Sequence, residues 1–399
     1  MIGAPAGRRR SLSVFLIAGE ESGDALGAGL MGAIRERAGG AVTWSGVGGS
    51  RMAGHGLRSL FPMEELALHG ITEVLGKLPK LLRRVRQTVD AIAAADPDAV
   101  VLIDAPGFNL RIGKAVRRRG LRAAIVDYVS PQVWAWRPGR ARSMAAYVDR
   151  LLAILPFEPE VHRNLGGPRC TYVGHPLTAQ LDRLRPVAGE RAPIGAGPPV
   201  LLVLPGSRRS EVGRLTAPFG DTVAMVAERL GAMELLLPAV PRLAQEIRER
   251  TASWPVKPSI VEGEEAKFAA FRRAHAALAA SGTVTLELAL SAVPTVVAYR
   301  LDPLVKPFRR LLRSKSIVLP NLIIDELAVP EFIDAESEPA RLAATLLPLL
   351  SDTPERRAQL AAFQRVAALM DIGGETPSRR AADVVLDAVA ERERKSAGG

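Results

Sequence analysis

Two short strings in this chain carry the residue types that hold an anion. Leu204-Pro205-Gly206-Ser207-Arg208-Arg209-Ser210 closes an apolar run, 199–204, and opens an amphipathic stretch that begins Glu211-Val212. A buried strand that turns straight into a helix leaves first-turn N–H groups without internal partners, and Gly206 lets backbone approach a ligand. Arg208 adds a fixed positive fork, so a diphosphate is the natural guest. An ordinary strand-to-helix turn with a solvated arginine uses the same residues. The second string, Ser281-Gly282-Thr283, follows the apolar run 276–280 and precedes Glu287. That carboxylate, one turn into a helix, suits the paired hydroxyls of a ribose, or simply favours a first helical turn.

A carboxylate at a strand end is the other chemical feature. Val100-Val101-Leu102-Ile103-Asp104-Ala105-Pro106 places Asp104 at the carboxyl end of a buried strand, where partial desolvation suits a general base. Capping the helix that starts near Asn109 is its structural alternative. Gly19-Glu20-Glu21-Ser22-Gly23-Asp24 follows the first strand in the same way; Ser22 and Asp24 are good helix caps, and Gly23 permits close approach. Tyr128-Val129-Ser130-Pro131-Gln132-Val133-Trp134-Ala135-Trp136-Arg137 follows another strand and holds two of the four tryptophans, suited to a sugar face, an acyl chain or a core. Ligands in open parallel sheets bind beyond the carboxyl ends of the strands. Glu20, Ser22, Gly23, Asp24, Asn109, Ser130 and Trp134 are therefore the candidate acceptor set.

Two strings are set aside. Gly46-Val47-Gly48-Gly49-Ser50-Arg51 fails the Gly-x-Gly-x-x-Gly spacing of dinucleotide sites, because Arg51 stands sixth. Asp96-Pro97-Asp98 spells a metal-site pattern but precedes its strand, and reads as a helix-to-strand turn.

The elements that position these residues alternate. Strands are predicted over 13–18, 42–47, 99–103, 123–129, 150–155 and 170–173, then over 200–204, 234–237, 259–261, 276–280, 295–299 and 317–319. Helical patterns fill the gaps, as at 24–37, 81–95, 110–119, 211–230 and 284–290. Such alternation argues for parallel sheets with helices on both faces. Pro186, Gly189, Pro193, Gly195, Gly197, Pro198 and Pro199 mark a linker over 186–199. The expected order is a disordered tail 1–10, a first domain 11–185, the linker, a second domain 200–375, a closing helix 376–394 and a tail 395–399.

At 399 residues the chain can bury two sizeable cores, and 48% hydrophobic with 24% charged residues is ordinary for a globular protein. One cysteine, Cys170, excludes an internal disulfide and suits a reducing compartment. Five scattered histidines offer no metal spacing, and no apolar run reaches a membrane span. Net charge is +11, suited to nucleic acid, anionic lipid or phosphorylated substrates. Its distribution favours lipid. Leu66, Leu68, Ile71, Val74, Leu75, Leu78, Leu81 and Leu82 interleave with Lys77, Lys80, Arg83, Arg84 and Arg86, the pattern of a segment lying in a membrane interface. An amphipathic helix packed on the sheet has the same pattern. A second basic cluster runs from Leu304 to Lys315. Neither shows the aromatic platform of a single-strand nucleic-acid binder.

Taken together, AGEESGDALGAGL, LIDAPGFN, YVSPQVWAWR, LPFEPE, YVGHP, LPGSRRSEV, ASGTVTLELAL and LPNLI run in order from residue 18 to 323. As a set they resemble the lipid-A-disaccharide synthases, glycosyltransferases of family 19. The resemblance implies an α/β fold of GT-B type, two Rossmann-like doubly wound domains facing across a cleft. It implies transfer, with inversion, from UDP-2,3-diacylglucosamine to 2,3-diacylglucosamine 1-phosphate (lipid X), giving a β-1,6-linked disaccharide and UDP without metal or cofactor. Asp104 falls on the family's base and Arg208 on its diphosphate partner. UDP-binding positions fall on Gly206, Ser207, Arg208, Ser281, Gly282, Thr283, Glu287 and Asn321. The interfacial segment, 64–86, would present Leu75, Lys77, Leu78, Leu81, Leu82 and Arg83 to the anionic cytoplasmic face of the inner membrane. A cytoplasmic, peripheral protein that binds no nucleic acid is expected; a homodimer is left open. Two places depart from the family pattern: Gly107 replaces an acid, and Ile323-Ile324-Asp325 replaces a small Ala-Gly pair. A GT-B transferase or UDP-sugar epimerase acting on a soluble substrate is the nearest competing enzyme, and a basic nucleic-acid-binding protein the competing class.

Overall fold

The computed structural model describes residues 11–66, 71–301, 306 and 314–397, and the side chains of these apart from 71–77 and 397. Runs of Val, Leu, Ile and Ala too apolar to face water on either side become central strands of parallel sheets. The first sheet contains β1 (Leu12–Ala18), β2 (Val42–Val47), β3 (Ala99–Ile103), β4 (Ala124–Tyr128), β5 (Arg150–Ala153) and β6 (Cys170–Tyr172). They lie parallel in the order β2-β1-β3-β4-β5-β6. The second contains β7 (Val200–Leu204), β8 (Glu234–Ala239), β9 (Ser259–Glu262), β10 (Ala276–Ala280), β11 (Thr295–Tyr299) and β12 (Glu331–Ile333), ordered β12-β11-β10-β7-β8-β9 and also parallel. β3, β4, β7 and β10 are buried along their whole length.

The order of strands locates each binding edge. In the first sheet the chain winds from β1 to β2 on one side and resumes with β3 on the other, so order reverses between β1 and β3. In the second, β8 and β9 lie to one side of β7 and β10 to the other. Ligand crevices open at such switch points, beyond the carboxyl ends. Gly19-Glu20 follows β1 and Asp104 follows β3; the Gly206 turn follows β7 and the Ser281 turn follows β10. Four of the five strings that sequence chemistry singles out therefore flank a reversal; the fifth, 128–137, follows β4.

The chain divides into one unit comprising 1–176 and 372–399 and another comprising 177–371. Residues 186–199 lie inside the second unit rather than between the two. Arg191 fixes them there, donating to the carbonyl oxygens of Phe271, Arg272, Ser291 and Ala292. Proline and glycine crowding gave no sign of that clamp. The closing helix, Pro377–Ala397, belongs to the first unit, where Ala381, Ala382, Val385 and Ala388 join its core. It runs past the expected end at 394; residues 1–10 lie outside the described part.

One expected strand is a correction. Residues 317–319 form no strand: Val318 is the extended N-cap of helix Leu319–Ile324, whose first turn takes Pro320. The sixth strand is Glu331–Ile333, only three residues long and half-buried, too short to show a period. Asp96-Pro97-Asp98 is the turn expected, with the Asp98 carboxylate accepting from the Ser13 N–H at 2.7 Å.

Candidate active site

At the first switch point the backbone is strained. Asp104 and Ala105 take φ of 53° and 45°, a left-handed pair costly for side chains other than glycine. Asp104 N–H donates to Tyr128 O at 2.8 Å, tying the end of β3 to β4. Asn109, fully buried, donates its amide to the carbonyls of Ile17, Ile103 and Asp104, joining the ends of β1 and β3. A Cβ on Gly19 would stand 2.5 Å from that of Ala105, so glycine is required where the two strand ends touch. The result is a carboxylate held out of line with its strand, mostly buried, beside the exposed Glu20 and Ser22. Burial raises the Asp104 pKa, partly offset by a hydrogen bond with the Ala105 backbone.

The same edge contains a buried carboxyl that the motif reading passed over. Asp127 on β4 pairs in register with Leu102 and is 2% exposed; its Oδ2 has no hydrogen-bond partner. Burial, then the charge of Asp104, raises its pKa well above the carboxylate range, against the pull of Arg140. Asp127 thus stands buried behind Asp104 and holds its proton more tightly than an ordinary aspartate. Nothing in the string Val126-Asp127-Tyr128 separates it from an ordinary strand residue; only strand pairing shows the neighbourhood.

Asp24, Ser130 and Trp134 of the acceptor set make contacts within the chain. Asp24 is not poised for a ligand: its carboxylate accepts from the N–H groups of Gly49, Arg51 and Met52 at 2.7, 2.9 and 3.1 Å. It caps helix Ser50–Gly54 and fills the glycine-rich loop. Ser22 lies inside helix Glu21–Ala38, whose N-cap is Glu20, and Gly23 packs on Ala18 and Ile103. Ser130 is buried, its hydroxyl 2.8 Å from His162 Nε2. Trp134 turns inward, donating Nε1 to Glu158 at 3.3 Å and meeting Phe157 edge-on. Burial raises the Glu158 pKa to about 7 and lowers that of His162 to about 4.

At the second switch point, Gly206 adopts φ of 115° and leads into helix Arg209–Leu230. Ser207 and Arg208 do not leave their N–H groups open: both donate to Glu211 Oε2, at 3.2 and 3.3 Å. The Arg208 guanidinium, 74% exposed, touches Glu211 Oε1 at 3.3 Å. Arg242, which the strings did not flag, donates to Ser207 O at 3.0 Å and brings a further positive charge. After β10, Gly282 and Thr283 are exposed, while Ser281 donates to Ile317 O at 2.6 Å. Glu287 is paired to Lys267, whose Nζ lies 2.9 and 3.0 Å from its two oxygens and over the rings of Phe268 and Phe271. Asn321 points into the protein. Its amide exchanges two hydrogen bonds with the Val329 backbone at 2.9 and 2.8 Å, and its Nδ2 also donates to Ser316 Oγ at 3.4 Å.

A profile of the lipid-A-disaccharide synthetase family matches residues 14–383. The chain belongs to that family. It is 52% identical to the lipid-A-disaccharide synthase of Rhodopseudomonas palustris over 388 residues, 97% of this chain and 99% of that one. Membership makes it a hexosyltransferase of lipid A biosynthesis. Among solved structures, the fold is similar to MurG of Acinetobacter baumannii (TM-score 0.58, 12% identity, 95% of this chain and 100% of that one). It is also similar to a UDP-GlcNAc 2-epimerase of Neisseria meningitidis (TM-score 0.55, 12% identity, 96% and 100%). These likenesses show the fold, of GT-B type, and family membership separates this chain from the epimerases.

Within the family frame, helix Ile71–Ala95 is the expected interfacial segment and runs unbroken through Pro79. Leu81 is 5% exposed and belongs to the core with Val85, Val89 and Ile92, which corrects its assignment to the interface. Leu82 is 44% exposed, Arg83 is exposed and Leu78 half-buried. Leu75 and Lys77 lie outside the described side chains. Arg84 is held by Glu65 and stacks on Phe61 at 4.5 Å. No helix among the described residues is long and apolar enough to cross a membrane.

Proposed function

We propose that this protein transfers 2,3-diacylglucosamine from UDP to the 6-hydroxyl of 2,3-diacylglucosamine 1-phosphate, inverting the anomeric centre. The observation that carries the proposal is Asp104: a strained, mostly buried carboxylate at the β1/β3 reversal, backed by the buried Asp127. Its raised proton affinity lets it take the acceptor hydroxyl proton as that oxygen attacks the anomeric carbon and the bond to UDP breaks. Such a base contributes about a hundredfold or more. Glu20 and Ser22 lie beside it, free to orient acceptor hydroxyls.

The leaving UDP gains charge as the bond breaks. The exposed fork of Arg208, with Arg242 beside the same turn, supports taking up that charge on the Gly206-Ser207 turn. Glu211 keeps this turn in shape rather than leaving it empty. Gly282 and Thr283 present backbone beyond β10, and Lys267 fixes Glu287 for a ribose. Because both substrates carry two acyl chains, the protein works at the cytoplasmic membrane surface, and exposed Leu82 and Arg83 support contact with anionic lipid. The test is UDP release from diacylated donor and acceptor, with Asp104→Asn beside the natural chain. The variant should keep UDP binding and lose about a hundredfold in turnover; near-normal turnover refutes the base assignment.

A further inference from the structure

Beyond β4 the chain makes a second feature that the reaction above leaves unused. Trp134 turns inward, but Trp136 is 41% exposed, and two guanidinium groups lie over its ring, that of Arg137 at 4.5 Å and that of Arg140 at 5.5 Å. Neither has a carboxylate within 4.0 Å among the described residues, although ion pairs hold many other arginines of this chain. Arg140 N–H donates to Arg137 O at 3.0 Å, a single turn that brings both side chains to one side. Arg137 itself is held at φ of 55°, and a Cβ on Gly139 would meet nothing within 4 Å. Two unpaired like charges on one indole, around a strained residue and beside open space, lack only a dianion.

We propose that Arg137 and Arg140 form a phosphomonoester site, which receives the acceptor's 1-phosphate. This rests on the acceptor named above. Asp127 on β4, the strand next to β3, feels the charges of both Asp104 and Arg140, which puts the arginine pair at the same sheet edge as the base. Burial, then the charge of Arg137, lowers the Arg140 pKa, a cost a bound phosphate relieves. The charges of Tyr147 and Asp127, which face Arg140, act in the opposite direction.

The test uses the full chain with Arg137→Gln and Arg140→Gln combined, and thermal unfolding to confirm the fold. In nonionic micelles free of phospholipid, KM for the phosphorylated acceptor should rise about tenfold or more. KM for the acceptor with a free 1-hydroxyl, and for the donor, should move by less than about twofold. Equal losses on both acceptors, or none, overturn the site. Water-soluble glucosamine 1-phosphate is the second probe: calorimetry should show saturable binding to the natural chain and none to the variant. That arm needs no turnover, so loss of binding without any transferase activity would sink the proposed reaction and keep the site. If the variant instead loses only its sedimentation with phosphatidylglycerol vesicles, a lipid headgroup is the ligand and the acceptor assignment falls. Should the glutamines unfold the protein, Arg140→Lys tests the same point, since it keeps charge but loses the planar fork.

Discussion

Replacing Gly206 by alanine probes the turn after β7 at the atom where backbone and cap meet. A Cβ there would lie 2.6 Å from Glu211 Cβ and 2.6 Å from Glu211 Oε2, on a residue whose φ is 115°. The backbone alone costs about 1–3 kcal/mol in a region L-residues avoid. Glu211 must also withdraw the oxygen that accepts from Ser207 and Arg208, a lost cap worth about 1 kcal/mol. Together these give about 2–4 kcal/mol. Spread over the second unit, residues 177–371, that lowers its melting temperature by about 5–15 °C. Scanning calorimetry should show this loss in the transition that UDP raises, and titration calorimetry a weaker UDP affinity. Gly213→Ala is the control, for its Cβ meets only Arg250 at 3.7 Å and alanine favours the helix by about 0.5–1 kcal/mol. If Gly206→Ala behaves like Gly213→Ala and binds UDP as before, the turn is not the tight approach described.

Three further outcomes follow. The acid limb of kcat/KM should lie above that of an unperturbed aspartate, because activity needs ionised Asp104 and burial raises its pKa; a limb at the ordinary aspartate value disproves the buried base. Glu158, 2% exposed, goes from 4.5 unfolded to about 7 folded, so its stabilising contribution is whole below pH 4.5 and is lost as pH rises through 7. That loss amounts to about 3 kcal/mol in denaturant titrations and should vanish in Glu158→Gln. His162, lowered from 6.5 to about 4, acts oppositely: its contribution is present above 6.5 and lost as pH falls toward 4. Leu78→Ser with Leu82→Ser should reduce sedimentation with anionic vesicles while leaving the melting temperature nearly unchanged; undiminished sedimentation argues against interfacial contact.

Where a property is local, the amino-acid string carries it. Eleven of the twelve strand positions, the helix beginning after Arg208 and the turn at Asp96-Pro97-Asp98 follow from apolar runs and turn chemistry. Asp104 is legible because a carboxylate at the end of a buried run must sit at a sheet edge. Strand order was not legible, since it depends on pairings between segments tens of residues apart, and it alone brings Gly19 against Ala105 and sets Asp127 beside Asp104. The same holds for partners. Asp24, Asn109 and Asn321 have ligand-like side chains, yet folding commits them to backbone groups of Gly49, Ile17 and Val329. A polar residue's type states what it can bind; which group reaches it first is settled only when distant backbone is packed beside it, because buried donors and acceptors must all find partners.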